Sequence, residues 1–482
     1  MKTSKLFAAA SALVLALGAS ACDSGLTEIN ENPNDPEVVP ADNVFANGIA
    51  SGVGRAFGAN FNMTLTALWA QHMAKIQYID EDRYDLRDQA VNAHWTGFYS
   101  VPLQDFQDVV NSGADNNRPN VEAQGLVMRS WLFQIMTDVW GDIPYSEALR
   151  GTGEARIVTP KYDTQEQVYN GILADLKRAN DIIGAGAAIN DGDLIYDGDM
   201  PSWKKFANSL RLRAAMRLSQ VNPTLARTEA AAAIAAGVFT SNADNAVLNY
   251  TPSAPSQSPL YLNQIGFGGS RDDHGISATM VNTLKALNDP RLPVYAQPAP
   301  VDKQYRGAMN GPSDANAPVL NTISRLGTYF LRADWPAPLM TYAEVLFLRA
   351  EATQRGYVAG DAAALYRAGI RASMEMYDVP TASINAYIAQ PSVTYNGLSS
   401  IAQQKWIALF MNGPEAYAEV RRLNSPTLTP ASGSVIGARI PVRIFYPTNE
   451  ESYNKANLEA AVARNGGQGI PEGLLTPVWW DK

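Results

Sequence analysis

Apolar residues recur three and four places apart through most of this sequence, and that spacing confines the chain to a fold built from helices. SWKKFANSLRLRAAMRLS, Ser202 to Ser219, is a clear instance: Trp203, Phe206, Leu210, Ala214 and Leu218 line one helical face. Ser202 stands where a helix start takes a capping hydroxyl. PLMTYAEVLFLRAEA repeats the pattern through Leu339, Tyr342, Leu346 and Ala350. VEAQGLVMRSWLFQIMTDVWG, Val121 to Gly141, stops at a glycine, as helices commonly do. FANGIASGVGRAF, LTALWAQHMAKI, DAAALYRAGIRASMEMYDV and LSSIAQQKWIALFM follow the same rhythm. VLNYT and PVRIFYP are the few strand-like runs. Helices in pairs, with small residues where they cross, predict helix-turn-helix packing of the solenoid kind, although no strict repeat length emerges. The expected class is all-α with minor β-strands. Long irregular stretches, Thr240 to Asp273 and Pro290 to Pro338, interrupt the helices, and loops of that length tend to carry function.

No disulfide can support this fold, because Cys22 is the only cysteine in 482 residues. Its neighbours explain its place. Lys2 and Lys5 give a positive start, Leu6 to Gly18 is a short apolar run, and the small residues Ala19, Ser20 and Ala21 follow. That order reads as a secretory signal peptide over residues 1–21. A cysteine directly after the small residues resembles the lipobox of bacterial lipoproteins, with Ala19 in place of the usual leucine. It implies cleavage before Cys22 and acylation, palmitate included, of that residue. Several acyl chains hold a domain at a membrane without a spanning helix. Residues 22–40, broken by Pro33, Pro36 and Pro40, read as a lipidated tether, and 41–482 as a single helical domain. The net charge of −9 becomes more acidic once Lys2 and Lys5 are cut away, which argues against nucleic acid as a partner.

Catalytic signatures are scarce. His72, His94 and His274 are the only histidines, none at metal-ligand spacing, and neither HExxH nor GxSxG occurs. GFGGS, Gly266 to Ser270, lacks the GK[ST] of a phosphate loop. In NDGDLIYDGD, Asp191, Asp193, Asp197 and Asp199 offer oxygens to calcium, but the spacing is not that of an EF-hand, and an Asp-Gly turn is the preferred reading. No cofactor is expected. Nine tryptophans and 21 tyrosines give flat faces with polar tips, suited to sugar rings and peptides. Trp69, Trp131, Trp203 and Trp406 fall on helical stripes and read as core. Tyr78 and Tyr84, which flank Asp80 to Arg83, and Trp335, between Asp334 and Pro336, lie in polar loops and are the candidate ligand contacts. RDDH, Arg271 to His274, is a polar cluster ending a glycine-rich loop.

Taken in order, several stretches resemble the SusD/RagB family of outer-membrane lipoproteins of the Bacteroidetes group. They are LTEINENPNDP, TDVWGDIPYSEAL, WKKFANSLRLRAAMRLS, NDPRLPVY, PLMTYAEVLFLRAEA, KWIALFMNGPEAYAEVRR and PVRIFYPTNEESYN. The resemblance runs from about Leu26 to Lys482. It implies a scaffold of tetratricopeptide-like helix pairs, a ligand face built from irregular loops, and attachment through Cys22 to the outer membrane, facing the outside. It also implies a SusC-like TonB-dependent barrel as partner, a glycan or a peptide as the captured nutrient, and no enzymatic activity. The family has no fixed ligand motif, so only the role of Cys22 carries over. Two readings of other classes compete: a lipid-anchored glycoside hydrolase, which needs two cleft carboxylates about 5–10 Å apart, and a structural adhesion protein.

Overall fold

The computed structural model describes residues 39–151, 156–265, 271–313 and 318–482. Ala41–Lys482 is one compact unit. The signal segment 1–21 and Cys22 lie outside the described residues, as does all of the tether but its last two positions.

Helices carry the unit. In chain order the longer ones are α1 (Ala41–Ala56), α2 (Asp88–Phe98), α3 (Gln104–Asp115), α4 (Pro119–Trp140), α5 (Gln165–Ile182), α6 (Met200–Arg217) and α7 (Pro223–Ala236). The second half continues with α8 (Ala278–Ala286), α9 (Tyr342–Gln354), α10 (Ala362–Glu375), α11 (Thr381–Ile388), α12 (Leu398–Ala408), α13 (Gly413–Leu423) and α14 (Lys455–Asn465). Consecutive helices pack as pairs: α3 on α4, α4 on α5, α5 on α6, α6 on α7, and α9 on α10. The class is the all-α one expected from the sequence.

Local chemistry sets the ends. Gly141 takes φ +86° and stops α4 where a side chain would be strained. Thr164 and Gln167 form a reciprocal capping box on α5. Pro414 sits in the first turn of α13, where its missing N–H costs nothing. Three expectations shift. The cap of α6 is Asp199, which accepts from Ser202 N at 3.2 Å, so the helix starts before Ser202. Leu339 belongs to a strand, and α9 begins only after the Thr341 cap. PVRIFYP is extended but joins no strand; its Ile444 N–H donates to Val139 O at the end of α4.

Among the described residues six short strands form two-stranded ribbons. β1 (Met73–Lys75) pairs antiparallel with β5 (His274–Ile276), β2 (Ile143–Pro144) with β3 (Tyr162–Asp163), and β4 (Ala246–Leu248) with β6 (Ala337–Met340). The β1 residues close LTALWAQHMAKI, whose helical period ends at Trp69.

The centre is unusual for its charge. α4, α6 and α13 are buried nearly all round. Charged residues on them therefore cannot reach water, and they pair instead. Arg217 meets Asp138 at 3.1 Å and Glu415 at 2.6 Å, and also binds Glu419. Arg422 meets Glu351 at 2.6 Å and Glu419 at 2.7 Å; Arg213 meets Glu344 at 2.6 Å; Lys405 meets Glu419 at 2.9 Å. The network ties α4, α6, α9, α12 and α13 together. Its arginines hold Glu351 and Glu419 below the ordinary carboxylate range despite burial.

Candidate functional site

The β1–β5 ribbon aligns Lys75 opposite His274, and both strands run outward into polar loops. Ile76 N and Gln77 N donate to Asp273 O at 2.8 and 3.4 Å, and Gln77 Nε2 donates to Asp272 O at 3.2 Å. These bonds hold the two loops edge to edge. Tyr78 stands at their junction in a left-handed conformation, φ +51°, with 68% of its surface exposed. The Arg271 guanidinium lies 5.7 Å from the centre of its ring. Arg271 pairs with Asp273 at 2.6 Å, and Arg325 with Asp272 at 2.5 Å. The result is an open aromatic face edged by amide, carboxylate and guanidinium groups. Such a face stacks on the C–H side of a sugar ring while its rim meets hydroxyls.

A pocket of about 290 Å³ opens on the loop that follows Tyr78. Its lining includes Asn60, Thr64, Glu81, Arg87, Gln89 and His94. Asn60 and Thr64 sit on the wide π-helical turn Ala59–Thr66, and they escape the burial of its Phe61, Asn62 and Leu65. Thr64 Oγ1 lies 3.2 Å from His274 Nε2, which links the pocket to the ribbon. Glu81 accepts from Arg87 Nη2 at 3.0 Å. Asp82 fixes the loop from inside: it accepts from Lys75 N at 2.8 Å and from Asn310 Nδ2 at 3.0 Å. Burial raises its carboxyl to about 6, although the Asn310 bond works against the shift.

Burial holds all three histidines neutral. His72 and His274 are pushed down to about 3 and His94 to about 4, so none is poised for proton transfer near neutral pH. Among the described residues no group of three metal-ligating side chains comes together. Asp193, one of the calcium candidates, instead accepts from Ile195 N, Tyr196 N, Gly198 N and Trp203 Nε1 at 2.6–3.1 Å and so shapes its turn.

The structure separates the three aromatic candidates. Tyr78 faces solvent. Tyr84 does not: its ring packs edge-on to Trp69 and its Oη accepts from Ala431 N at 3.0 Å. Trp335 is 2% exposed and lies against Phe57 and Phe330. For these two the expectation of a ligand contact is corrected. An indole buries on the order of 200 Å² of surface, and a loop that crosses a core gains more by inserting it than by displaying it. Arg325 and Arg87 escaped the sequence reading. Arg325 reaches Asp272 across 53 positions of chain, and no local pattern marks such a pair.

Comparison with known proteins supplies a context. A family model described as starch-binding, associating with outer membrane, matches residues 33–447. A solved chitin-binding protein superposes with a TM-score of 0.81 at 31% identity, covering 92% of this chain and 100% of its own. A SusD-like protein of Bacteroidetes superposes with 0.81 at 28%, over 92% of this chain and 100% of that one. A chitin-binding SusD homologue from Flavobacterium johnsoniae gives 0.79 at 28%, over 90% and 99%. No curated protein sequence matches the chain.

Proposed function

The chain belongs to the SusD-like family of outer-membrane-associated, starch-binding proteins, and from that premise we propose that it captures a glycan at the Tyr78 face and passes it to a SusC-like TonB-dependent barrel. The observation that carries the reading is the Tyr78 ring itself. It is a large aromatic left in solvent at the meeting of two loops, rimmed by Gln77, Arg271, Asp272 and Arg325. The role is binding and not catalysis. Acylated Cys22 would anchor the chain, and no described helix is long and apolar enough to cross a membrane.

Two similar structures are described as chitin-binding, which favours an N-acetylated glucosamine chain over starch. Titration calorimetry with N-acetylglucosamine, maltose-type and xylose-type oligomers tests this. Heat with the first alone is the expected result; heat with none of them, or with a peptide digest only, contradicts the glycan reading. Delivery is tested separately. A tag after Lys482 and mild detergent extraction of the outer membrane should bring down a TonB-dependent barrel in equal amount, and a lone protein would contradict the partnership.

A further inference from the structure

The pocket beside the Tyr78 loop does not end at His94. A second hollow of about 340 Å³ shares Asn60 and His94 with it. From there it continues to Arg55 at the end of α1 and to Pro259 and Asn263 of the short helix Pro259–Gln264.

Arg55 is exposed, and its guanidinium has neither an ion pair nor a hydrogen bond among the described residues. Its place is nevertheless built. The guanidinium lies against Gly97 of α2, where any Cβ would run into Arg55 Nη1. Glycine inside a helix is unfavourable relative to alanine, and at position 97 the bare backbone gives the guanidinium its seat. Among the described residues no aspartate or glutamate lines the hollow, although the chain carries a net charge of −9. The cation is held in position with no anion to meet it.

His94 supplies a second, independent observation. Neither of its ring nitrogens has a hydrogen-bond partner among the described residues, and neither is sealed from solvent. Phe61 holds the ring edge-on, with 5.1 Å between the centres. A donor and an acceptor therefore stand open on the wall that the two hollows share. Burial, with the Arg55 charge adding to it, lowers the imidazole to about 4 and keeps it neutral. Two amides complete the set. Asn263 Oδ1 accepts from Gln264 Nε2 at 2.9 Å, which leaves its Nδ2 open, and the Asn60 side chain is exposed and unbonded.

We propose that this hollow is a subsite for a carboxylate-bearing sugar, a uronate unit within the captured glycan. The proposal rests on the glycan reading of the Tyr78 face and adds an acidic unit to it. A planar guanidinium grips a carboxylate through two parallel N–H bonds. The imidazole and the amides meet ring hydroxyls, which both donate and accept. A neutral sugar gains the hydroxyl contacts alone and leaves the guanidinium in water.

Titration calorimetry at about 0.15 M salt tests this with two probes. One is an oligomer that alternates N-acetylglucosamine with glucuronate. The other is the same oligomer after carboxyl reduction, which turns each glucuronate into glucose. The mature chain should bind the acidic form at least about tenfold more tightly, the scale of one charge-assisted contact. Arg55→Gln should bring the two forms level at an unchanged melting temperature. Gly97→Ala should also narrow the difference by unseating the guanidinium, at an equal or higher melting temperature. Tyr78→Ala should weaken both forms alike and leave their ratio intact. Equal affinity of the wild type for the two forms, binding of neither, or a preference that survives Arg55→Gln would overturn the uronate subsite. So would an acidic peptide that binds more tightly than the acidic oligomer. A preference that depends on Arg55 but ignores Tyr78→Ala would support the subsite and count against the Tyr78 face alone.

Discussion

The same chemical pair, an arginine against a carboxylate, appears in two regions of this molecule with opposite consequences. In the helical centre Arg217 and Arg422 are fully buried and bind carboxylates from neighbouring helices. At the Tyr78 face the Arg271 side chain is 62% exposed, although its partner Asp273 is only 7% exposed. A buried charge left without its partner costs several kcal/mol, whereas an exposed pair contributes about 0–1 kcal/mol. The centre therefore uses the pair to fix which helices meet. The loop face keeps one partner of each pair, Arg271 and Asp272, in reach of solvent and of a ligand.

The contrast can be broken most severely at Arg217. Arg217→Ala removes from the interior the cation that Asp138, Glu415 and Glu419 share, and Asp138 loses its ion pair. It should remove about 3–5 kcal/mol of stability, read as a large fall in the urea midpoint or as loss of soluble protein. Trp335→Ala comes next. Deleting that buried ring from between Phe57 and Phe330 should cost about 3–5 kcal/mol with a milder effect on yield; an unchanged melting temperature would return Trp335 to the list of surface contacts.

Acid sharpens the comparison from another side. His72 and His274, held near 3, and His94, held near 4, bind protons more readily unfolded than folded. Their contribution is full above the unfolded value of about 6.5 and is lost as pH falls toward 3–4. Each ring should forfeit about 2 kcal/mol by pH 5. Asp82 runs the other way, because its raised value near 6 makes the folded state gain as it protonates below that pH. The sum is a melting temperature that drops between pH 6.5 and 4, with a shallower drop in His72→Gln. The smallest effect on stability belongs to the loop face. Arg325→Ala should change the urea midpoint by less than the equivalent of about 1 kcal/mol.

The two regions also differ in how far the sequence discloses them. Helical period located the scaffold, and the apolar stripe of α6 from Trp203 to Leu218 is buried as expected. The charges between those apolar positions carry no such signal. Helices on other sides bring carboxylates to Arg211, Arg213 and Arg217, and the partners of Arg213 and Arg217 lie over distances of chain that no local window spans. At the loop face the difficulty is reversed. Tyr78, Tyr84 and Trp335 have similar polar neighbours, and only tertiary packing decides which ring stays outside. The left-handed backbone that Tyr78 and Tyr84 share is equally silent in the sequence, since neither is a glycine or an asparagine.

Titration calorimetry of N-acetylglucosamine oligomers against wild type and Tyr78→Ala tests the central claim most directly. A lost stacking ring should lower affinity at least about tenfold, while the melting temperature stays within about 1 °C because the ring touches no core. Equal affinity in the two proteins would contradict the assignment of the glycan to this face.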